Sequence, residues 1–186
     1  MDSKKLTSIS DKANQIYIDV DGVLFASNEA MCTLLNRIYH KHHKGSEVTD
    51  WNYTNLYPTN SEEIERLFAS KEFFDNVRLI RGAKTYLTKY REKIVIITKG
   101  TTANFVRKRW LFNQLGFEDI PIIPIPFNVS KGIINMKGGL FIDDCTNNLK
   151  ESNAKYKVMF MEYNDGKERE WQMGWNRDKL YDWRTE

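Results

Sequence analysis

The sequence predicts an α/β fold, a parallel sheet with helices on both faces, and three observations carry that expectation. Short apolar runs alternate with helical segments from about Leu79 onward. An earlier run, Ile16 to Leu24, contains Asp19-Val20-Asp21-Gly22, two carboxylates one residue apart and then a glycine. A mainly helical stretch, residues 27–78, separates that run from the alternating part of the chain. Open α/β sheets carry their sites at strand ends, so the aspartate pair marks a candidate active site. An extended chain alternates its side chains, and bringing both carboxylates together requires an immediate turn, which Gly22 permits. A calcium loop would need further oxygen donors after Gly22, and Val23-Leu24-Phe25-Ala26 supplies none.

Taken in order, the first strand is followed by Met31, Leu34, Leu35, Ile38 and Tyr39 at helical spacing, with Ser27 or Asn28 as N-cap and Gly45 as the stop. His40, His42 and His43 fall in a basic helix end, which reads as a solvated terminus rather than a metal site. Residues 46–60 form an aromatic loop with Trp51, Tyr53 and Tyr57, and Asn60 with Glu63 resembles a capping box opening a helix through Phe68. A helix near Ala83 to Tyr90 leads into the strand Ile94 to Ile97, ending at Thr98. The next helix runs from about Thr102 to Leu115, with Val106 and Trp110 on one face and Gly116 as terminator. Strands follow at Ile120 to Ile125, Gly139 to Ile142 and Lys157 to Met161, and such alternation argues for a parallel sheet. Arg107-Lys108-Arg109 reads as a solvated helix surface.

With 186 residues, 41% of them hydrophobic and 28% charged, the chain suits one α/β core with a modest insertion. The net charge of +3 is too small to imply a nucleic-acid partner, and no stable one is expected. Cys32 and Cys145 form no C-x-x-C pair, which favours reduced thiols. The polar stretch Met1 to Asn14 lacks the apolar centre of a secretory signal, and no apolar run is long enough for a bilayer. A cytoplasmic protein without a membrane partner, monomeric or homodimeric, is expected.

Thr98, Lys131 and Asp143-Asp144 also stand after apolar strands or at a helix start, positions that a parallel sheet would bring beside Asp19 and Asp21. Singly, Thr98 and Asp144 could be helix caps and Lys131 a surface lysine. Together the segments Asp19-Val20-Asp21-Gly22-Val23, Ile97-Thr98-Lys99-Gly100, Ser130-Lys131-Gly132 and Phe141-Ile142-Asp143-Asp144 resemble, in order, the four motifs of the haloacid dehalogenase-like superfamily. The resemblance implies a Rossmann-like core, residues 1–26 and 79–186, with a small helical cap, residues 27–78, inserted after the first strand. The return segment Phe73-Phe74-Asp75-Asn76-Val77-Arg78-Leu79-Ile80-Arg81-Gly82-Ala83 and the tail with Glu162-Tyr163-Asn164, Glu170-Trp171 and Trp183 resemble the 5′(3′)-deoxyribonucleotidases, bacterial and phage relatives included. Arg81 replaces the proline usual in that family's return segment.

What the resemblance implies is a Mg²⁺-dependent phosphomonoesterase. Asp19 would be the nucleophile, forming an aspartyl-phosphate, and a metal ligand. Asp21 would be the general acid and then the base, its main-chain carbonyl touching the metal, and Asp143 would complete the metal set. Asp144 would hold Lys131 or a metal-bound water. Thr98, Lys99 and Lys131 would bind the phosphoryl oxygens. An aspartate at position 21 favours a phosphatase, because a dehalogenase would lack this acid and a transport ATPase would usually carry threonine. Phe25, Trp51 and Tyr53 are the candidates for stacking on a nucleobase, each equally able to belong to a small cap core. The expected substrates are nucleoside monophosphates, deoxyribonucleotides first. The alternatives are another small phosphate ester, a nucleic-acid 3′-phosphate, or a nucleotide-binding protein without turnover.

Overall fold

Six strands build one sheet in the computed structural model, which describes residues 1–184; the last two residues of the expected core, 185 and 186, lie outside the described residues. They are β1 (Ile16–Ile18), β2 (Ile94–Lys99), β3 (Ile122–Ile125), β4 (Leu140–Asp143), β5 (Tyr156–Phe160) and β6 (Lys179–Leu180), all paired in parallel in the order β3-β2-β1-β4-β5-β6. Ile16 and Ile18 of β1 face Ile94 and Ile96 on one side and Leu140 and Ile142 on the other. The chain moves outward from β1 through β2 to β3, then returns to place β4 on the other flank of β1. The crevice beyond the ends of β1 and β4 is therefore the topological switch point, where ligands bind in such sheets.

Strand side chains alternate between two cores, as pleating requires. Ile18, Ile96, Ile142, Val158 and Phe160 join Leu6, Leu87 and Phe112, which come from α1 (Ser3–Lys12), α5 (Ala83–Lys89) and α6 (Thr102–Gln114). Ile97, Phe141 and Met159 face the opposite way and pack with Met136, Trp175 and Leu149 of α7 (Thr146–Glu151). Both faces of the sheet are thus covered, and each fully buried Leu or Phe contributes about 1.5–3 kcal/mol. No helix among the described residues is long and apolar enough to cross a membrane.

Between β1 and β2 lie α2 (Ser27–Tyr39), α3 (Ser61–Phe68) and α4 (Lys71–Asn76). Ser27 and Asn28 do not cap α2: Ala26 is the cap residue, and both polar side chains turn inward, Ser27 to Asp21 and Asn28 to Glu162. Nor does Gly45 end it, because His40 adopts the left-handed conformation at φ 52°. Asn36 makes that early reversal possible, accepting from the His43 N–H at 2.9 Å and donating to the His43 carbonyl at 2.8 Å. Asn60 caps α3 as its spacing predicts, accepting from the Glu63 N–H at 2.9 Å, while Glu63 itself receives the Tyr39 hydroxyl rather than closing the box.

The main departure concerns α6. Val106 and Trp110, the apolar pair that the spacing places on one face of this helix, are 65% and 52% exposed. The buried stripe is Asn104, Lys108 and Phe112, spaced at i, i+4 and i+8. Its inner face meets the polar crevice at the switch point, so polar groups occupy positions that hydrophobic periodicity assigns to solvent. The solvated surface read from Arg107-Lys108-Arg109 is accordingly wrong for Lys108.

Candidate active site

Asp19 follows β1 directly, its N–H bonded to the Ile142 carbonyl at 3.0 Å. The chain then turns so tightly that the Val20 carbonyl accepts from Val23, Leu24 and Phe25 at 3.3, 2.9 and 3.0 Å. Gly22 is required twice over. Its φ of +71° suits glycine, and a Cβ there would stand 2.7 Å from Oδ2 of Asp144. The turn buries Val20 and leaves the Asp19 and Asp21 carboxyl groups both on the wall of a cavity of about 370 Å³.

Lys131 is 1% exposed and bridges Asp19 Oδ1 and Asp143 Oδ2, each at 2.7 Å. Asp143 ends β4 and is fixed from behind, Oδ1 accepting from the Cys145 N–H at 2.8 Å and from Asn148 Nδ2 at 3.1 Å. Asp144 does not hold Lys131, as its expected outer role allowed; its Oδ2 accepts from the Trp171 indole at 2.8 Å. One oxygen each from Asp19, Asp143 and Asp144 lie within 4.8 Å of one another. Burial pushes the Asp19 carboxyl up to about 6, opposed by Lys131 and reinforced by Asp143 and Asp21. Burial also raises Asp144 well above the ordinary carboxylate range, with Asp143 and Asp19 adding to it. Lys131 is held above its usual value by Asp143 and Asp19 in spite of its own burial.

Asp21 faces a different set of groups. Oδ1 accepts from the Ser27 hydroxyl at 2.8 Å and Oδ2 from the ammonium of Lys108. Lys108 is 0% exposed and also donates to the Thr98 hydroxyl at 2.6 Å and to the Lys99 carbonyl at 3.3 Å. Four aspartates, 19, 21, 143 and 144, thus meet two buried lysines, 108 and 131. Such a group is short of positive charge, and the neighbouring carboxylates add to the burial that already raises Asp19 and Asp144. The donors nearest one another are all carboxylate oxygens, the hard ligands that suit Mg²⁺.

The expected phosphate ligands divide. Lys131 and Lys99 line the cavity, and the Lys99 ammonium has no partner among the described residues. Thr98 is fully buried behind Lys108 and is not on the wall. The three base-stacking candidates divide too. Phe25 is buried against Phe112 at 5.6 Å between ring centroids, and Tyr53 is buried with its hydroxyl donating to Asn28 at 2.8 Å, so neither can stack on a ligand. Trp51 lines the cavity at 41% exposure, parallel to Phe68 at 5.8 Å and edge-on to Trp171 at 6.2 Å. Phe68, Phe127 and Trp171 complete the aromatic wall. The tail closes over this wall, Glu170 Oε1 accepting from the Trp51 N–H at 2.6 Å. Lys108, Ser27 and Asn148 are not among the site residues that the sequence points to. Only the D-x-x-x-x-N spacing of Asp143 and Asn148, which spans a strand end and the following helix, carried a local signal for one of them.

Behind the wall, burial pushes Glu162 up to about 8 while its Oε2 accepts from Asn28 at 3.1 Å. A carboxyl raised in the folded state stabilises fully below its unfolded pKa, near 4.5, and that contribution is lost as pH rises through about 8. The metal-free protein therefore loses on the order of a few kcal/mol across that window through this group. Glu162→Gln should flatten that part of the profile, as denaturant melts at successive pH values would show.

Solved structures with this fold include a haloacid dehalogenase-like hydrolase from Bacteroides fragilis, 14% identical, covering 91% of this chain and 97% of its own, with a TM-score of 0.57. A haloacid dehalogenase-like protein from Agrobacterium tumefaciens is 12% identical, covers 82% and 84%, and has a TM-score of 0.55. A HAD family hydrolase from Deinococcus radiodurans, solved with bound phosphate and sodium, is 12% identical, covers 80% of each chain, and has a TM-score of 0.52. Comparison with curated protein sequences gives no match. The model of the family described as 5′ nucleotidase, deoxy (pyrimidine), cytosolic type C protein matches residues 13–178. The chain belongs to that family, and is a phosphatase of the nucleotidase type within the haloacid dehalogenase-like superfamily.

Proposed function

We propose that the protein hydrolyses nucleoside monophosphates, deoxyribonucleotides first, through an aspartyl-phosphate on Asp19 in a Mg²⁺-dependent reaction. The observation that carries this reading is that one cavity is lined both by Asp19 and Lys131, the latter bonded to Asp143, and by the aromatic residues Trp51, Phe68 and Trp171. Groups for phosphate chemistry and a stacking surface for a flat base thus share one cavity. Residues 27–78 would act as the cap, since Trp51 and Phe68 belong to that stretch.

A phosphate monoester repels nucleophiles through its own charge, so attack requires that charge to be offset. Asp19, Asp143, Asp144 and the Asp21 main-chain carbonyl would hold Mg²⁺, which when bound supplies that offset by Lewis acidity. Lys131 and Lys99 would hold phosphoryl oxygens, while Asp19 attacks phosphorus. Asp21 would give a proton to the departing nucleoside oxygen and then take one from the water that cleaves the acyl phosphate.

Inorganic phosphate release from ribo- and deoxyribonucleoside 5′- and 3′-monophosphates and from sugar phosphates tests the reading. Release concentrated on deoxynucleotides supports it, and preference for sugar phosphates overturns the assignment of the aromatic wall. Trp51→Ala should raise KM for the preferred nucleotide roughly tenfold, the scale of one lost base stack, with a smaller effect on kcat. An unchanged KM would remove Trp51 from the binding surface.

A further inference from the structure

The structure assigns Lys108 a task that neither the four motifs nor family membership gives it: we infer that it is a positioning residue, which holds the Asp21 carboxyl group for proton transfer. This inference rests on the proposed phosphatase reading. Lysine is almost never fully buried without partners, and an ammonium has three N–H donors to satisfy. Those of Lys108 meet Asp21 Oδ2, the Thr98 hydroxyl and the Lys99 carbonyl, which leaves no donor for water or substrate. Lys108 therefore acts through Asp21 and not on the phosphoryl group, in contrast to Lys131, which touches Asp19 and lies on the cavity wall.

With Oδ2 held by Lys108, Oδ1 is the oxygen that exchanges the proton. Ser27, which donates to Oδ1 at 2.8 Å, has a second acceptor in the Phe25 carbonyl at 3.4 Å and can release it. In the first step the Asp19–phosphorus bond forms, the bond from phosphorus to the nucleoside oxygen breaks, and the Oδ1 proton passes to that oxygen. In the second step water adds to phosphorus, its proton returns to Oδ1, and the Asp19–phosphorus bond breaks. The carboxyl must keep one orientation through both transfers, and a group misplaced by about 1 Å forfeits about 10²-fold in rate.

The helix that carries Lys108 is itself held. Asn104, one turn before it, donates through Nδ2 to the Phe68 carbonyl, and Arg107, the residue just before it, donates through Nε to the Ala69 carbonyl, each at 2.9 Å. These carbonyls end α3 and have no intrahelical partner, so α6 satisfies them while locking its own register. The aromatic residue Phe68 on the cavity wall and the ammonium on Asp21 are thereby positioned from the same helix.

Leaving-group dependence separates positioning from support of the fold. A nucleoside oxygen needs a proton to depart, whereas p-nitrophenolate does not. Lys108→Met should lower kcat for the preferred nucleotide by about 10²-fold or more, with KM within a few-fold. The ratio of single-turnover rates of leaving-group release from the nucleotide and from p-nitrophenyl phosphate, which report the first step alone, should fall at least about tenfold, and Lys108→Arg should restore part of it. In an Asp21→Asn background the same substitution should add little. Equal losses in these first-step rates on both substrates, or additivity with Asp21→Asn, would overturn the assignment. Should Lys108→Met fail to fold, Lys108→Gln gives the same ratio with a donor retained. If instead the wild-type protein releases phosphate from neither substrate, it is the phosphatase reading that fails.

Discussion

Asp19→Asn should lower phosphate release from the preferred nucleotide by about 10⁴-fold or more, the scale seen when a nucleophile is removed from an otherwise intact site. The amide keeps the shape of the side chain but is a poor nucleophile, and it returns only one oxygen toward Lys131. Nucleotide binding by calorimetry should survive, because the aromatic wall and Lys99 are untouched. Stability supplies a second readout. Asp19 is raised to about 6 by burial, so in the metal-free protein its contribution is complete below about 4 and lost as pH rises through 6. The variant cannot titrate there, and its metal-free melting profile should lack that decline.

Removal of divalent cations with EDTA should abolish turnover, and Mg²⁺ should restore it. The reason lies in the charge balance of the crevice, where Lys108 and Lys131 are bound to Asp21, Asp19 and Asp143 but Asp144, among the described residues, has only the neutral Trp171 indole as a side-chain partner. Asp143→Asn should then raise the Mg²⁺ concentration for half-maximal activity by roughly 10–100-fold, because it removes a buried ligand and frees Lys131 from one of its two carboxylates. Mg²⁺ titrations of activity for wild type and variant check this. Full turnover in EDTA would exclude a role for the acidic cluster in holding a cation.

The strands and the motif aspartates were legible because a parallel sheet buried on both faces demands continuous apolar runs, and Ile94-Val95-Ile96-Ile97 and Leu140-Phe141-Ile142 meet that demand without ambiguity. β6, with only Lys179 and Leu180, is too short to show a pattern. α1 is mostly polar and contributes only Leu6 and Ser10 to the buried side, so its pattern was invisible next to the strands. α4 was hidden for another reason: Phe73 and Phe74 stand side by side, which shows no period, and its Ser70 cap becomes visible only with the helix behind it.

At the site, the residues that failed to show were those whose side chains contradict their type. Lys108 sits in a basic run and is buried, while Trp110 is aromatic and exposed, because the inner face of α6 looks into a polar crevice. Phe25 and Tyr53 have the composition of a stacking surface, yet the turn after β1 and the inward hydroxyl of Tyr53 commit both to the interior. Trp51 alone of the three stands on the cavity wall, supported by Phe68 and by the tail residues Glu170 and Trp171 from far along the chain. Such a surface is assembled from three separate segments and has no local sequence signature.

The role proposed for Asp19 is to carry the phosphoryl group during turnover. Asp21→Asn is the protein in which to test it, because p-nitrophenolate leaves without an acid while hydrolysis of the acyl phosphate lacks its base. Rapid mixing of this variant with p-nitrophenyl phosphate and Mg²⁺ should give a burst of p-nitrophenolate matching the enzyme present. Borohydride reduction of the quenched sample should then convert residue 19 to homoserine, detected by peptide mass. Turnover with neither a burst nor reduction at position 19 would mean that Asp19 does not carry the phosphoryl group.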